Sequence, residues 1–485
     1  MKKILLSITL VCSLTSITQA QNVGIGTNTP KAAFNVAENK TVLFGNDTGG
    51  SGSKMMWIPA KYAFRAGAIG NQLNYYAYTA DSTIWDYDSI GAFSFASGYQ
   101  NKAIGLASST MGFFNEVRGG YATAMGSNNK NIGWYSFSAG ASNQSLGTGS
   151  ICVGSQNISR GLCSFAAGKE NEVAGDNSVA LGYQNHSNGN YSTVIGLYNN
   201  VSGVASVAIG YNNNITGLAS SGLGQDNIVN SNLSTAIGIA NATNSYGMMA
   251  LGLYSDTIAG GNRLGWVSTD PLFIIGNGNG AGARNNAMTI LKNGKTGFGT
   301  NTPAGLLHIK HNGQAANPQL VVEEAQNDYS RISFKNANPG YWNIEAYSKP
   351  ILGSNDVAKF NFFYSANGYI FSLSGNGNAT LTGTLYQNSD ESLKQNISPI
   401  KNSLGKLMQL NGYNYQWKDT ARGTEEQVGL LAQEVEKQFP QLVMTDEQGK
   451  KSVAYANMVP VLLQAIKEQQ QQIDELKRLA AASIK

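Results

Sequence analysis

Few side chains in this 485-residue sequence are equipped for chemistry. Three histidines and three cysteines leave too few ligands for an ordinary zinc or iron–sulfur centre, so neither a metal nor another cofactor is expected. Two stretches, Gly24-Ile25-Gly26-Thr27 and Gly297-Phe298-Gly299-Thr300, have the glycines of a phosphate-cradling loop. Neither has the Lys-Ser/Thr pair and following helix that such a loop requires. Glycoside hydrolysis needs two carboxylates at a defined separation, and Glu170, Glu172 and Asp176 make no convincing pair. The last 97 residues contain no histidine, and for a serine there a lysine is the natural candidate as base.

The elements that position such groups are announced by composition. Only 13% of residues are charged, about half of the ~25% usual for soluble domains, and glycine is abundant at 57 residues. A hydrophobic content of 42% is enough for a large core. The net charge of +4 makes no polybasic patch, which argues against a nucleic-acid partner. Residues 1–20 form a signal peptide: Lys2-Lys3, an apolar run Ile4 to Ile17, then Thr18-Gln19-Ala20 with small residues at −3 and −1 before Gln21. Cys12 invites a lipoprotein reading, but Val11 is bulky where a small residue is wanted, so ordinary secretion is preferred. No later segment reaches ~18 uninterrupted apolar residues, and a membrane span is not expected. Cys152 and Cys163 are too few for a disulfide framework and are expected as small packed interior residues.

The middle of the chain is periodic. Glycines recur at Gly98, Gly112, Gly126, Gly140 and so on to Gly252, every fourteen residues without a slip. An asparagine stands three residues after nearly every one, from Asn101 to Asn241, and a second glycine seven after, from Gly105 to Gly217. The residue two before each main glycine is usually small, as at Ala96, Ala124, Ala166, Ala180 and Ala208. Fixed-period self-similarity signals a solenoid. Fourteen residues suit two short strands and two turns, with Gly and Asn expected at the turns because both tolerate positive φ. At ~4.8 Å per coil, twelve coils make a rod on the order of 55 Å. A coil this small cannot cover its apolar face alone, so lateral association is expected as well as stacking.

These columns resemble the left-handed β-roll heads of trimeric autotransporter adhesins, over roughly residues 91–256, in repeats such as Ser206-Val207-Ala208-Ile209-Gly210-Tyr211-Asn212-Asn213-Asn214. The resemblance implies a homotrimer of parallel rolls. The array carries only Lys102, Glu116, Arg118, Lys130, Arg160, Lys169, Glu170, Glu172, Asp176, Asp226 and Asp256 as charged residues. Its face is otherwise amide, hydroxyl and aromatic. Either that neutrality serves stacking, or the face adheres to a cell-surface glycan or matrix component, with Tyr121, Tyr183 and Tyr211 as platforms.

Related segments bracket the array, Val23-Gly24-Ile25-Gly26-Thr27-Asn28-Thr29-Pro30 and Thr296-Gly297-Phe298-Gly299-Thr300-Asn301-Thr302-Pro303, and resemble a motif of exported tail-fibre-like proteins. From about Leu320 to Leu385, alternating strands with Gly/Asn turns predict an antiparallel module. The last 97 residues then hold 24 charged side chains and five glycines, which marks a separate domain. It runs through Ser389-Asp390-Glu391-Ser392-Leu393-Lys394-Gln395-Asn396-Ile397, a strand Tyr413-Asn414-Tyr415-Gln416-Trp417-Lys418, and a helix from Gly429-Leu430-Leu431-Ala432-Gln433-Glu434-Val435. The C-terminal helix spaces Val459, Leu462, Ile466, Gln469, Ile473, Leu476 and Ala480 alternately three and four apart, the seam of a coiled coil.

In that order these segments resemble the C-terminal intramolecular chaperone of phage tailspikes, the endosialidase-type self-cleaving peptidase family. The resemblance implies a domain that trimerises the fibre before it and then cuts itself off. It places the dyad on Ser389 and Lys394 and the scissile bond at Asn388–Ser389. Ser392 stands where an arginine is frequent in the family, and Gln427 replaces a histidine found in some members; either fits folding assistance without cleavage. The expected architecture is all-β: signal peptide 1–20, N-terminal β module 21–90, twelve-repeat left-handed β-roll 91–256, connector 257–305 and β module 306–388. A C-terminal α/β chaperone domain, 389–485, ends in a trimeric coiled coil. The expected protein is an exported, extracellular trimeric fibre that matures by single-turnover Ser-Lys self-cleavage. The alternatives are a surface adhesin whose tail only trimerises, and a polysaccharide-binding or -degrading fibre.

Overall fold

The structure, a computed structural model, describes residues 22–45, 47–70, 81–258, 260–312, 318–326, 328–348 and 358–483. The expected signal peptide lies outside the described residues. The chain divides into two compact units, Met1–Gln319 and Leu320–Lys485.

The first unit is a β-solenoid. Twelve five-residue strands, from Phe95–Tyr99 to Met249–Leu253, stack in parallel with each main glycine opposite the next, while eleven two-residue strands form a second sheet. The two sheets enclose a narrow interior. Ala96, Ala124, Cys152, Ala166, Ala180 and Ala208 project into it from the long strands, and Val117, Val173, Val201, Ile215 and Val229 from the short ones, all fully buried. Sizes compensate across this space. Gly222 lies where a Cβ would come within 2.3 Å of the Ile215 Cδ1.

The main glycines are dictated twice over. At Gly210 φ is +124°, and an added Cβ would stand 2.0 Å from the Gly224 carbonyl oxygen of the next coil. The asparagines, however, do not make the turns. The left-handed corners fall one residue earlier, on Gln100, Phe114, Asn128, Ser142, Gln156, Glu170 and their successors, and again on the column of Tyr121, Tyr135 and Tyr191. Main-chain bonds to the previous coil, such as Phe114 N–H to Tyr99 O at 2.9 Å, hold these corners.

The asparagines instead form a buried ladder. The Asn171 backbone and side-chain N–H groups both donate to Asn157 Oδ1 at 3.0 Å, and the side chain also reaches the carbonyls of Ala167 at 3.0 Å and Gly182 at 2.8 Å. Asn171 Oδ1 in turn accepts from the backbone and side chain of Asn185 at 3.1 and 3.0 Å. Side-chain rungs of this kind run from Asn101 to Asn227, and a backbone rung extends them to Asn241. From Asn115 to Asn227 each ladder amide is thereby bonded to its counterparts in the coils on either side.

Both flanks join the stack. Ala63–Ile69 adds in parallel to the first coil with Gly67 opposite Gly98, and its buried Arg65 donates to the Ser94 hydroxyl at 2.8 Å and the Ala103 carbonyl at 3.1 Å, plugging that end. At the other end Pro271–Asn277 adds in parallel with Gly276 opposite Gly252, then turns antiparallel into Asn286–Leu291. The segment expected as a connector therefore continues the sheet. Each glycine-rich motif closes a short parallel pair, Val23–Ile25 with Phe34–Val36 and Thr296–Phe298 with Leu307–Ile309. In the second, Asn301 donates to Asp256 Oδ2 at 2.9 Å and ties off the last coil. Cys152 lies in the interior, where burial pushes its thiol up to about 11. Cys163 is exposed, contrary to expectation, because its position is a left-handed corner that points outward.

In the second unit, five antiparallel strands between Ser330 and Leu381 form a meander. Its polarity is unusual. One face exposes Ile332, Phe334, Trp342, Phe360, Leu373 and Leu381, whereas the other buries Asn343, Glu345 and Asn361. Helices α1 (Ser403–Leu407), α2 (Ala432–Gln438) and α3 (Met458–Ser483) follow, with two small hairpin sheets. Val435, Phe439, Leu442, Met458 and Val461 make the core of this last module.

Candidate functional site

The Ser389–Lys394 segment is shaped by one carboxylate. Asp390 accepts from the Ser392 hydroxyl at 2.7 Å and the Ser392 amide at 2.8 Å, which hold its carboxyl below the ordinary range. This caps a single 3-10 turn, Glu391–Leu393. The turn reverses the chain and brings the Lys394 Nζ to 2.8 Å from Ser389 Oγ and 2.9 Å from Ser389 O. A hydroxyl and an amine five positions apart are thus within hydrogen-bond reach. Both side chains are exposed in the single chain. Accepting a proton requires the neutral amine, and exclusion of water favours that form.

Ser392 is committed to Asp390 through both its hydroxyl and its amide. Gln427 pairs with Tyr415 in the hairpin Gly412–Tyr415/Gln427–Leu430.

The rest of the module is organised around α3. Glu468 accepts from the Leu404 and Ser403 amides at 2.8 and 3.0 Å, filling the open N-terminus of α1, and these bonds lower its carboxyl. Tyr455 anchors the first hairpin by accepting from the Leu430 amide at 2.9 Å. The α3 face bearing Met458, Val461 and Ala465 is buried on this core. The heptad positions Val459, Leu462, Ile466, Ile473 and Leu476 lie on the outside, with Ile466 63% exposed.

Residues 389–444 match the family model described as chaperone of endosialidase. The match begins at Ser389 and spans the Glu391–Leu393 turn, α1, both strands of the first hairpin and α2. No curated protein sequence matches the chain. Among the described residues no helix is long and apolar enough to cross a membrane, and no group of three or more His, Cys, Asp or Glu is placed to hold a metal ion.

The candidate residues of the array are dispersed. Tyr183 and Tyr211 share one corner of the roll, whereas Tyr121 stacks on Tyr135 at the other, with ring centroids 5.2 Å apart. Glu170 pairs with Lys169 at 3.1 Å, Glu172 with Arg160 and with His186 at 3.6 Å, and Asp176 accepts from the Leu162 amide at 2.8 Å. Each acid is engaged by its own partner. The capping role of Asp390, the clamp of Glu468 and the corner column through Tyr198 went unread in the sequence. The Ser-Asp-x-Ser order was the available signal for the first of these.

Proposed function

We propose that this chain is an exported, extracellular fibre of three copies whose C-terminal module, 389–485, directs trimer folding and then releases itself at Asn388–Ser389. The observation that carries the reading is the 2.8 Å hydrogen bond from Lys394 Nζ to Ser389 Oγ, at the head of the segment that matches the chaperone family. Trimerisation is supported by three unpartnered apolar surfaces. These are the outer column Met125, Val153, Ile195, Ile209 and Ile237 of the long strands, the exposed face of the five-stranded sheet, and the heptad seam of α3. The domain partition 1–20, 21–90, 91–256, 257–305, 306–388 and 389–485 belongs to the same proposal.

In the reaction, the neutral Lys394 amine accepts the Ser389 hydroxyl proton as Oγ attacks the Asn388 carbonyl carbon. The Asn388–Ser389 C–N bond breaks and the Ser389 nitrogen takes up a proton, which leaves an ester between Asn388 and Oγ. Water then cleaves the ester, giving an Asn388 carboxylate and restoring the serine hydroxyl. Because both groups are solvated in one chain, assembly supplies the desolvation, and cleavage reports a completed trimer.

Intact mass and oligomeric state of the mature chain beside Ser389→Ala and Lys394→Ala test this. A 97-residue fragment starting at Ser389, present in wild type and absent in both variants, is expected. An uncut trimer in all three removes the peptidase and leaves a trimerisation module, the second reading, which the solvent exposure of the dyad favours. An uncut monomer overturns the trimer as well.

A further inference from the structure

Charge is rare in the array, yet five of its eleven charged residues fall between Arg160 and Asp176. The fold places this cluster beside an ordered corner. Glu170, Gln184, Tyr198, Asn212 and Asp226 occupy the same corner of successive coils, with φ between +50° and +58°, so their side chains project outward in a line. At ~4.8 Å per coil the line is about 19 Å long. In order it is acid, amide, ring, amide, acid. Gln184 Nε2 donates to Glu170 Oε2 at 2.5 Å, and Asn212 Nδ2 donates to Asp226 Oδ1 at 2.7 Å, on either side of Tyr198. The Tyr183 and Tyr211 rings stand at 74° and 90° to the Tyr198 ring, with centroids 5.5 and 5.8 Å away. A shallow cavity of ≈ 480 Å³ is lined by Glu170, Gln184, His186, Tyr198 and Asn212.

We propose that this strip binds a neutral, linear oligosaccharide running along the stacking axis. The proposal rests on the reading of the chain as an exported fibre with its head in contact with the surroundings. Tyr198 offers an apolar ring with a polar tip to a sugar's C–H face. Each flanking pair presents a carboxylate acceptor beside an amide that can donate and accept, the complement of neighbouring hydroxyls. Glu170 and Asp226 at the two ends disfavour an anionic chain, while Lys169 at 3.1 Å and the Gln225 amide at 2.9 Å already serve those carboxylates and weaken the pull on a cation. The same column lacks this order elsewhere: Gln100, Phe114, Asn128, Ser142 and Gln156 hold no ring between two amide–acid pairs. A shallow strip binds weakly alone, and three copies on one fibre raise the avidity.

The test uses the full secreted chain, the variants Tyr198→Ala and Gln184→Ala/Asn212→Ala, and Tyr121→Ala at the other corner as control. Calorimetry is run against gluco-, manno- and galacto-configured oligosaccharides from disaccharide to hexasaccharide. For at least one series, affinity should rise with chain length until the strip is covered. It should fall tenfold or more in both strip variants and be unchanged in Tyr121→Ala, with all proteins sharing the wild-type thermal transition. The proposal is overturned by no binding of any neutral series, by binding confined to a polyanion or polycation, or by equal loss in the control. Oligomeric state is read on the same samples. A trimer that binds no sugar sinks only the strip, and a monomer that binds sugar sinks the fibre and keeps the strip.

Discussion

Removing one rung of the asparagine ladder should cost far more than an ordinary surface substitution. In Asn171→Ala the Asn185 backbone N–H loses its Oδ1 acceptor, and the carbonyls of Ala167 and Gly182 lose a donor, all within a closed interior. An orphaned buried N–H costs about 1–3 kcal/mol, and the vacated volume and lost rungs add a comparable amount, so about 3–5 kcal/mol is expected. Because coils interact only with their neighbours, the loss is local. Amide exchange should accelerate over the adjoining coils, most at Asn185, while coils near Asn101 stay protected. Asn171→Asp should be worse at pH 7, since a carboxylate then faces three acceptors: Ala167 O, Gly182 O and Asn157 Oδ1. Burial raises the pKa of such a carboxylate in the fold above its unfolded value, so its penalty is present at neutral pH and relieved as pH falls through the raised value. Wild-type protection at Asn185 in Asn171→Ala, with a denaturation shift below about 1 kcal/mol, would show that the ladder does not hold the coils together.

Two further outcomes follow from the C-terminal module. Glu468→Ala should lower its melting temperature at pH 7. The Glu468 carboxyl is depressed from 4.5 by the Leu404 and Ser403 amides, so its contribution is complete above that value and lost as pH falls through the folded one. Melting curves of wild type and variant should therefore converge in acid, and a constant gap down to pH 3 counts against the clamp. Ile466→Lys alters a seam residue that one chain leaves exposed, so the fold should survive while assembly fails. Each buried isoleucine is worth about 1.5–3 kcal/mol, or ~5 kcal/mol and upward for the three in one layer. Sedimentation should show monomers, and unaltered trimers would place the interface elsewhere.

The repeat was legible because fourteen residues recur without a slip, so glycine spacing translates directly into coil register. The role of the asparagines was not. A column of Asn is equally compatible with left-handed turns and with a hydrogen-bonded ladder, and only the position of the corner, one residue earlier, separates the two. Residues such as Phe114 and Tyr198 adopt φ of +54° and +58° there, which no local propensity announces. Cys163 was misplaced for the same reason. Its column also holds Tyr121, Tyr135 and Tyr191, and a column that accepts tyrosine points outward. The Ser389 and Lys394 positions came from resemblance to a family. What bends one onto the other is Asp390, whose bonds to Ser392 are too short-range for periodicity to reveal. The inverted sheet between Ser330 and Leu381 alternates as a half-buried strand should, but alternation alone does not say which face meets water.

A ladder of identical rungs has no origin marked on it. Sliding the chain by fourteen residues would renew every Asn–Asn bond, so the ladder fixes spacing without fixing position. Position is set where the pattern breaks, at Arg65, at the Gly222–Ile215 match inside the roll and at the Asp256–Asn301 tie, each of which fits a single neighbour. The roll therefore behaves as a ruler with two end stops. A whole coil inserted or deleted between them leaves both stops intact and moves the tyrosine corner along the rod in steps of ~4.8 Å, so its reach is set by repeat number rather than by new chemistry.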